Sequence, residues 1–112
     1  MQLESRSLLT DALQAVCLIE QFAHGRRFED LAGDPLLRSA IYWQFALVGE
    51  TLSQLKKVDE TTFDLISQAW RIVGFRNQIL HGYKAVRDII AWQIIEDKLP
   101  LLKMELEHLL KS

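Results

Sequence analysis

The first quarter of the chain has the spacing of an amphipathic α-helix. Apolar residues recur at steps of three and four between about Leu3 and His24, and this period places them on one helical face. Gly25 is expected to end the helix, and a loop is expected to follow through Gly33. The apolar face consists of Leu8, Leu9, Ala12, Val16, Ile19 and Phe22 or Ala23.

Two further helices are predicted between residues 34 and 81. Asp34 followed by Pro35 is a strong helix start, because an acidic side chain can cap free N–H groups and proline suits the first helical position. The second helix is expected to run from there to about Lys57. Asp59–Thr62 then offers several capping residues for a third helix, which the apolar spacing extends to His81.

The fourth predicted helix opens near Arg87 or Asp88 and continues to the C-terminus. Pro100 lies inside it and is expected to kink or break it, because proline lacks an N–H and clashes with the preceding turn. The β-branched residues of Ile89–Ile95 also permit a strand. The absence of turn signals and the helical flanks favour a helix.

Residues 1–112 are therefore predicted to form one all-α domain, an antiparallel four-helix-type bundle with a kinked or broken last helix. A chain of this length suits a single hydrophobic core. Its two prolines and five glycines leave long stretches free for helix. No repeat, low-complexity tract or linker divides it.

Two polar residues interrupt the apolar rows of the third predicted helix. Arg76 continues the row of Ile72, and Asn77 continues the row of Trp70. Buried polar side chains need partners, so these rows predict either a polar pocket or interface, or a structural hydrogen-bond network between helices. Glu50, in the second helix, either pairs with Arg76 and orients it or is a plain exposed glutamate.

The residues after Arg76 include a histidine and a tyrosine. On one continuous helix, His81 and Arg76 would point about 140° apart. Gly82 is expected to end the helix as a residue that tolerates positive φ. The two side chains could then converge, and Tyr83 would lie on a turn outside the helix. Alternatively, a histidine at a helix end only interacts with the helix dipole.

The chain is slightly acidic overall but locally basic. Its 13 basic and 15 acidic residues give a net charge of −2, so the whole chain is not an electrostatic nucleic-acid binder. Between residues 71 and 87, however, basic residues occur without any acid. They form either a surface for a phosphate-bearing ligand or only a solvated helix face. These residues are Arg71, Arg76, Lys84 and Arg87.

Several kinds of protein are disfavoured by what the sequence lacks. Cys17 is the only cysteine, so no internal disulfide can form and a cytoplasmic location is expected. The chain shows no signal peptide and no apolar run of the ~20 residues that span a membrane. The three histidines are far apart and phosphate-binding glycine loops are missing, so neither a metal nor a cofactor is expected.

The segment from Arg76 to Tyr83 resembles the R-x4-H-x-Y signature of HepT-type toxins in the HEPN superfamily. The likeness extends to Val48–Glu50, to Trp70 and to Asp97–Leu101. It implies a HEPN-like helical fold. It also implies a metal-independent endoribonuclease that cleaves tRNA or mRNA by attack of the ribose 2′-hydroxyl.

By this resemblance, Arg76 and His81 are the catalytic pair, and Asn77 and Glu50 support the pocket. HepT-type toxins act as symmetric dimers whose motifs face one cleft, which implies a homodimer here. Such a cleft could supply one histidine to take the 2′-hydroxyl proton and a second to protonate the leaving 5′-oxygen, or one His81 could act with another proton donor. The basic residues expected to contact RNA are Arg71, Lys84 and Arg87.

The resemblance implies a separate role for Tyr83. HepT-type toxins are paired with a small nucleotidyltransferase antitoxin of the MNT type, which transfers AMP from ATP to the motif tyrosine. A nucleotide at this position would repel and obstruct RNA. Two other functions stay open, a non-catalytic partner subunit of a nucleotidyltransferase and a purely structural helical adaptor. Tyr83 itself could instead be an ordinary half-buried packing residue.

Overall fold

The computed structural model describes residues 1–112 as seven α-helices without a strand. The all-α prediction is therefore confirmed. The helices are α1 (Leu3–Ala23), α2 (Phe28–Gly33), α3 (Pro35–Val58), α4 (Glu60–Asp64), α5 (Ala69–His81), α6 (Lys84–Asp97) and α7 (Leu99–Lys111).

The end of α1 follows the prediction, but the loop after it does not. Gly25 has a φ of 72°, the left-handed conformation that glycine adopts without steric cost. The loop expected through Gly33 contains α2, a helix of six residues. Only Leu31 of α2 is buried, and one inward apolar residue is too few to produce a visible period in the sequence.

The start of α3 has the predicted chemistry. The Asp34 carboxylate accepts hydrogen bonds from the N–H groups of Leu36 and Leu37, and Pro35 is the first helical residue. α3 lies at the centre of the molecule, where it packs against α1, α4 and α5. Its end at Val58 is one residue beyond the predicted one.

The third predicted helix is two helices, α4 and α5, separated by residues 65–68. The Glu105 side chain of α7 accepts hydrogen bonds from the N–H and the hydroxyl of Ser67, so the break is tied to another part of the chain. The apolar rows therefore do not run continuously through this region. Trp70 and Asn77 lie on an exposed face of α5, so the expectation that Asn77 enters a buried row is wrong.

Pro100 was expected either to kink or to break the last predicted helix, and the structure has a break. α6 begins at Lys84, three residues earlier than expected, and ends at Asp97. Pro100 is the second residue of α7, where a missing N–H removes no hydrogen bond of the helix. The helical alternative for Ile89–Ile95 is confirmed.

The interior is one contiguous cluster of 24 buried apolar residues contributed by all seven helices. Between α3 and α5, the rings of Phe45 and Phe75 meet edge to face with centroids 5.2 Å apart, a favoured aromatic geometry. α7 packs on α1, and α6 packs on α2 and α7. Each of the seven helices is too short or too polar to span a lipid bilayer.

Candidate functional site

Arg76 lies where α5 packs against α3 at a buried glycine. A Cβ atom added to Gly49 would lie 3.3 Å from the Cβ atom of Arg76 and 3.5 Å from the carbonyl oxygen of Ile72. These distances leave little space for any side chain at position 49. The absence of a side chain there lets the two helices approach, and it places Arg76 beside the next residue of α3, Glu50.

Arg76 and Glu50 form an ion pair at the protein surface. Nη1 of Arg76 donates to Oε2 of Glu50 at 2.5 Å, and the two side chains are 30% and 57% exposed. Gln54 donates to the other carboxylate oxygen at 3.2 Å. Of the two predicted alternatives for Glu50, pairing with Arg76 is the one that the structure contains. A guanidinium has five N–H donors, so Arg76 keeps donors for a second anion.

His81 is the last residue of α5, and its side chain is exposed. Because α5 is continuous from Ala69 to His81, Arg76 and His81 point about 140° apart around its axis. α5 ends at His81, as predicted, but the convergence expected from that end does not occur. One chain therefore directs these two side chains to different sides of the same helix.

Gly82 follows α5, but not for the reason expected from the sequence. Its φ is −81°, so its tolerance of positive φ, on which the prediction rested, is not used here. Its N–H donates to the carbonyl oxygen of Gln78 at 2.9 Å. An added Cβ atom would lie only 2.7 Å from that same oxygen. Glycine is needed here because the chain passes too close to the end of α5 for a side chain.

Tyr83 lies outside the helices, as predicted, between α5 and α6. Its side chain is 88% exposed, so the half-buried alternative is wrong. Its carbonyl oxygen accepts the N–H of Arg87 at 2.9 Å, which begins α6. The backbone of Tyr83 is thus fixed while its hydroxyl faces solvent. Its role as a modification site stays a prediction.

Three of the predicted pocket and RNA-contacting residues lie on the surface around this site. Asn77 and Arg71 are exposed on α5, and Lys84 is exposed at the start of α6. Their side chains make no hydrogen bond or ion pair within the chain, so they are free to contact a ligand. Their proposed contacts with RNA stay predictions.

Arg87, the fourth basic residue of the segment, is instead packed inside the fold. Its guanidinium carbon lies 4.9 Å from the ring centroid of Tyr42. Its Nη1 donates to the carbonyl oxygen of Ile79 at 3.2 Å, and its Nε is buried without a partner. This side chain supports the last turn of α5 from within. Contact between Arg87 and RNA remains a prediction. The packed position of the Arg87 side chain does not favour such a contact.

A buried pair that the sequence did not reveal joins α3 to α6. The Tyr42 hydroxyl donates to the Asp88 carboxylate, and the two residues are 7% and 2% exposed. Burial, and then the hydrogen bond to Asp88, raises the pKa of the Tyr42 hydroxyl well above its ordinary value. One signal existed in the sequence. Asp88 lies three and six residues before Ala91 and Ile94, and so on the buried face of α6.

The structure brings together no group of three or more His, Cys, Asp or Glu side chains that could hold a metal ion. Within the segment from Arg76 to Tyr83, the groups that can take part in chemistry are the Arg76 cation, the His81 imidazole and the Tyr83 phenol. A cation can bind a phosphate, an imidazole can exchange protons near neutral pH, and a phenol can be a nucleophile.

Known proteins resemble this chain over most of its length. A family model described as "Ribonuclease HepT-like" matches residues 12–109. The "Probable ribonuclease HepT" of Thermococcus cleftensis is 26% identical over 112 residues, which cover 99% of this chain and 100% of that protein. A candidate RNase of Methanocaldococcus jannaschii is 22% identical over 103 residues, which cover 91% of this chain and 93% of that protein.

No solved structure matches the chain, so the relationship rests on sequence. The family match includes α3, α5 and α6 and every candidate site residue from Glu50 to Arg87. Because the match covers most of its length, the chain belongs to the HepT-like ribonuclease family.

Proposed function

We propose that this ribonuclease cleaves RNA as a homodimer without a metal ion, and that it is the toxin of a cytoplasmic HepT/MNT toxin–antitoxin system. One observation carries the proposal. Arg76 is held at the surface by Glu50, and His81 lies exposed at the end of the same helix. The expected substrates are tRNA or mRNA.

Arg76 would bind the scissile phosphate. The Glu50 carboxylate fixes its guanidinium from one side, and the remaining donors are open to an anion. As the 2′-oxygen attacks, negative charge grows on the non-bridging phosphate oxygens, and a fixed cation stabilises that charge more than it stabilises the ground state. Asn77 is exposed on the His81 side of α5, about 40° around the axis from His81, and would add a neutral hydrogen bond to the RNA there.

A second copy of the chain would complete the site. Because Arg76 and His81 diverge by about 140° in one chain, a twofold axis near the end of α5 is one way to direct both groups at one phosphodiester. Exposed apolar side chains occur on this side of the molecule. Trp43 and Leu47 precede Glu50 on α3, and Leu80 precedes His81 on α5, so the surroundings offer apolar area for a dimer contact.

The reaction then needs only proton transfer. His81 of one protomer takes the proton of the ribose 2′-hydroxyl, and the 2′-oxygen forms a bond to phosphorus. The bond from phosphorus to the 5′-oxygen breaks, and His81 of the partner protonates that oxygen. The products are a 2′,3′-cyclic phosphate and a free 5′-hydroxyl, with no net change in protons.

Cleavage of labelled RNA in the presence of EDTA tests this mechanism. Wild type should give cyclic phosphate ends, and replacing the ribose at the cut with a deoxyribose should prevent cleavage. His81→Ala should lower the rate by about 10²–10⁴-fold, the usual contribution of a general acid–base group. His108→Ala, another exposed histidine, is the matched control. Equal cleavage by wild type and His81→Ala would refute the assignment.

AMP transfer to Tyr83 is the proposed means of silencing. The Tyr83 oxygen would attack the α-phosphorus of ATP, pyrophosphate would leave, and the phenolic proton would pass to a base of the nucleotidyltransferase. The 88% exposure of Tyr83 supports this proposal, because an enzyme must reach the hydroxyl. The product would place a phosphodiester and a nucleoside next to His81.

Intact mass after co-expression with an MNT-type nucleotidyltransferase tests the modification. Wild type should gain whole AMP units, and Tyr83→Phe should gain none. Tyr42→Phe is the control at the other tyrosine, which is buried. Mass gain on a protein that cleaves no RNA even before modification would favour the alternative, a non-catalytic partner subunit of the nucleotidyltransferase.

A further inference from the structure

Trp70 and His81 lie near opposite ends of one exposed face of α5. Trp70 lies eleven residues before His81, which on a helix is about 20° from the same direction and about 16 Å along the axis. Gly74 and Asn77 lie between them within about 40° of that line. All four residues are exposed. The face therefore carries an aromatic ring at one end, an imidazole at the other, and little bulk between them.

Trp70 is held in one orientation although it is 58% exposed. The buried ring of Phe63 meets it at 86° with centroids 5.2 Å apart. The Lys56 Nζ atom lies over one face of the Trp70 ring, 4.6 Å from its centroid. A fixed aromatic ring beside a cation is the combination that binds a nucleobase together with its phosphate.

The surface beside Trp70 is open and carries no negative charge from α5. A shallow groove between α5 and α6 begins at Trp70, and it is lined on the α5 side by Arg71, Gly74 and Gln78 and on the α6 side by Ile90 and Ile94. A Cβ atom added to Gly74 would meet nothing within 4 Å, so the groove is open at its middle. Arg71 lies exposed on its edge.

We infer that this face of α5 is a subsite for single-stranded RNA, in which one base stacks on Trp70 a few nucleotides from the phosphodiester at His81. Lys56 and Arg71, which both lie next to Trp70, bind the phosphates on either side of that base. The inference rests on the proposed function in one respect, since His81 marks the cleavage end. Single-stranded RNA is the fitting occupant because only unpaired bases expose a face for stacking on an aromatic side chain.

Binding of a non-cleavable RNA tests the subsite apart from catalysis. The probe is a fluorescent single strand with 2′-O-methyl groups throughout, which cannot supply the attacking hydroxyl, and the readout is anisotropy. Trp70→Ala and Trp70→Leu should weaken binding by about 5- to 100-fold, the usual range for loss of one stacked base. Trp70→Phe keeps an aromatic face and should retain most of the affinity.

A second pair of variants leaves Trp70 and its packing on Phe63 untouched. Gly74→Glu and Gly74→Lys place side chains of similar length and opposite charge in the open middle of the groove. Gly74→Glu should weaken binding by severalfold, and Gly74→Lys should strengthen it, with the difference shrinking at high salt. Equal affinities for these two variants would overturn the subsite, as would equal binding of the same sequence as a duplex.

The outcomes separate the subsite from the proposed cleavage. If His81→Ala abolishes cleavage while the Trp70 and Gly74 variants bind the probe like wild type, catalysis stands and the subsite is wrong. If the Trp70 and Gly74 variants change binding as expected while His81→Ala cleaves normally, the subsite stands and the catalytic assignment is wrong.

Discussion

Two polar pairs connect α3 to the second half of the chain, and they differ in almost every physical respect. Glu50 pairs with Arg76 of α5 at the surface, where water reaches both side chains. Tyr42 pairs with Asp88 of α6 in the interior, where both are nearly inaccessible. The first is an ion pair between two charged groups. The second is a neutral donor bound to a buried acid.

Their contributions to stability should differ accordingly. An exposed ion pair contributes about 0–1 kcal/mol, because water and salt screen it. A buried hydrogen bond contributes a similar net amount when intact, but its loss leaves a desolvated group without a partner and costs about 1–3 kcal/mol. The comparison indicates that the surface pair is available for function and that the buried pair fixes the structure around it.

The strongest test of this contrast is Arg76→Ala. Cleavage should fall by about 10²–10³-fold, the usual cost of removing one group that stabilises charge in a transition state. The free energy of unfolding should change by no more than about 1 kcal/mol. Rates on labelled RNA and urea denaturation of the same samples measure both quantities. A variant that kept its activity and lost its stability would reverse the roles assigned to the two pairs.

The buried pair should show the opposite behaviour in Tyr42→Phe. Removing the hydroxyl leaves the Asp88 carboxylate without its hydrogen-bond donor in the interior. The protein should lose about 1–3 kcal/mol of stability by urea denaturation. Tyr83→Phe, at the exposed tyrosine, should change it by less than about 0.5 kcal/mol. Equal losses of stability for Tyr42→Phe and Tyr83→Phe would mean that the hydrogen bond to Asp88 makes no particular contribution to stability.

These two pairs also show how far the sequence could lead. The pairing of Glu50 with Arg76 was one of two alternatives from the sequence, because an acid beside a glycine interrupted one apolar row and an arginine interrupted another. The pair of Tyr42 and Asp88 was not predicted. Its members are 46 residues apart, and an acid near the expected start of a helix is ordinarily a capping residue.

The division between α4 and α5 was unpredictable for a related reason. Residues 65–68 contain no glycine or proline, so nothing local marks a helix end. The break is stabilised by Glu105, 38 residues away, which binds the backbone and side chain of Ser67. A long-range contact overrides local periodicity here, and the apolar rows drawn across the break led to the wrong burial for Asn77.

Gly82→Ala tests the short connection between α5, which carries Arg76, and α6, which carries Asp88. The added methyl would approach the Gln78 carbonyl oxygen to 2.7 Å, so the end of α5 must move. Forcing a methyl group into such a space costs about 1–3 kcal/mol, and cleavage should fall because His81 moves with the helix end. Urea denaturation and RNA cleavage of the same samples measure the two effects.

Gly74→Ala is the matched control for Gly82→Ala, since its methyl meets open space in the middle of a helix. It should stabilise the protein by about 0.5–1 kcal/mol, because alanine favours helix over glycine. A loss of stability in both variants would point to a general intolerance of α5 to substitution rather than to the close approach at Gly82.

The smallest effect is expected for a substitution of Asp59. Its burial is intermediate between that of the surface pair and that of the buried pair. Its carboxylate is partly exposed, yet it accepts hydrogen bonds from the hydroxyl and N–H of Thr62 and from the hydroxyl of Ser5. The hydrogen bond from the Thr62 hydroxyl, and next that from Ser5, holds the pKa of Asp59 below its ordinary value.

A lowered pKa in the folded state fixes the direction of the pH dependence. The ionised carboxylate stabilises the fold fully above the unfolded pKa of about 3.9, and this stabilisation is lost as the pH falls through the lower folded pKa. Asp59→Asn should therefore cost up to about 1 kcal/mol at pH 7, and the difference from wild type should shrink towards pH 3. Asp64→Asn, at an exposed aspartate without a side-chain hydrogen bond, should show no such trend. A deficit for Asp59→Asn that stayed constant from pH 7 to pH 3 would mean that the cap acts through shape alone, without its charge.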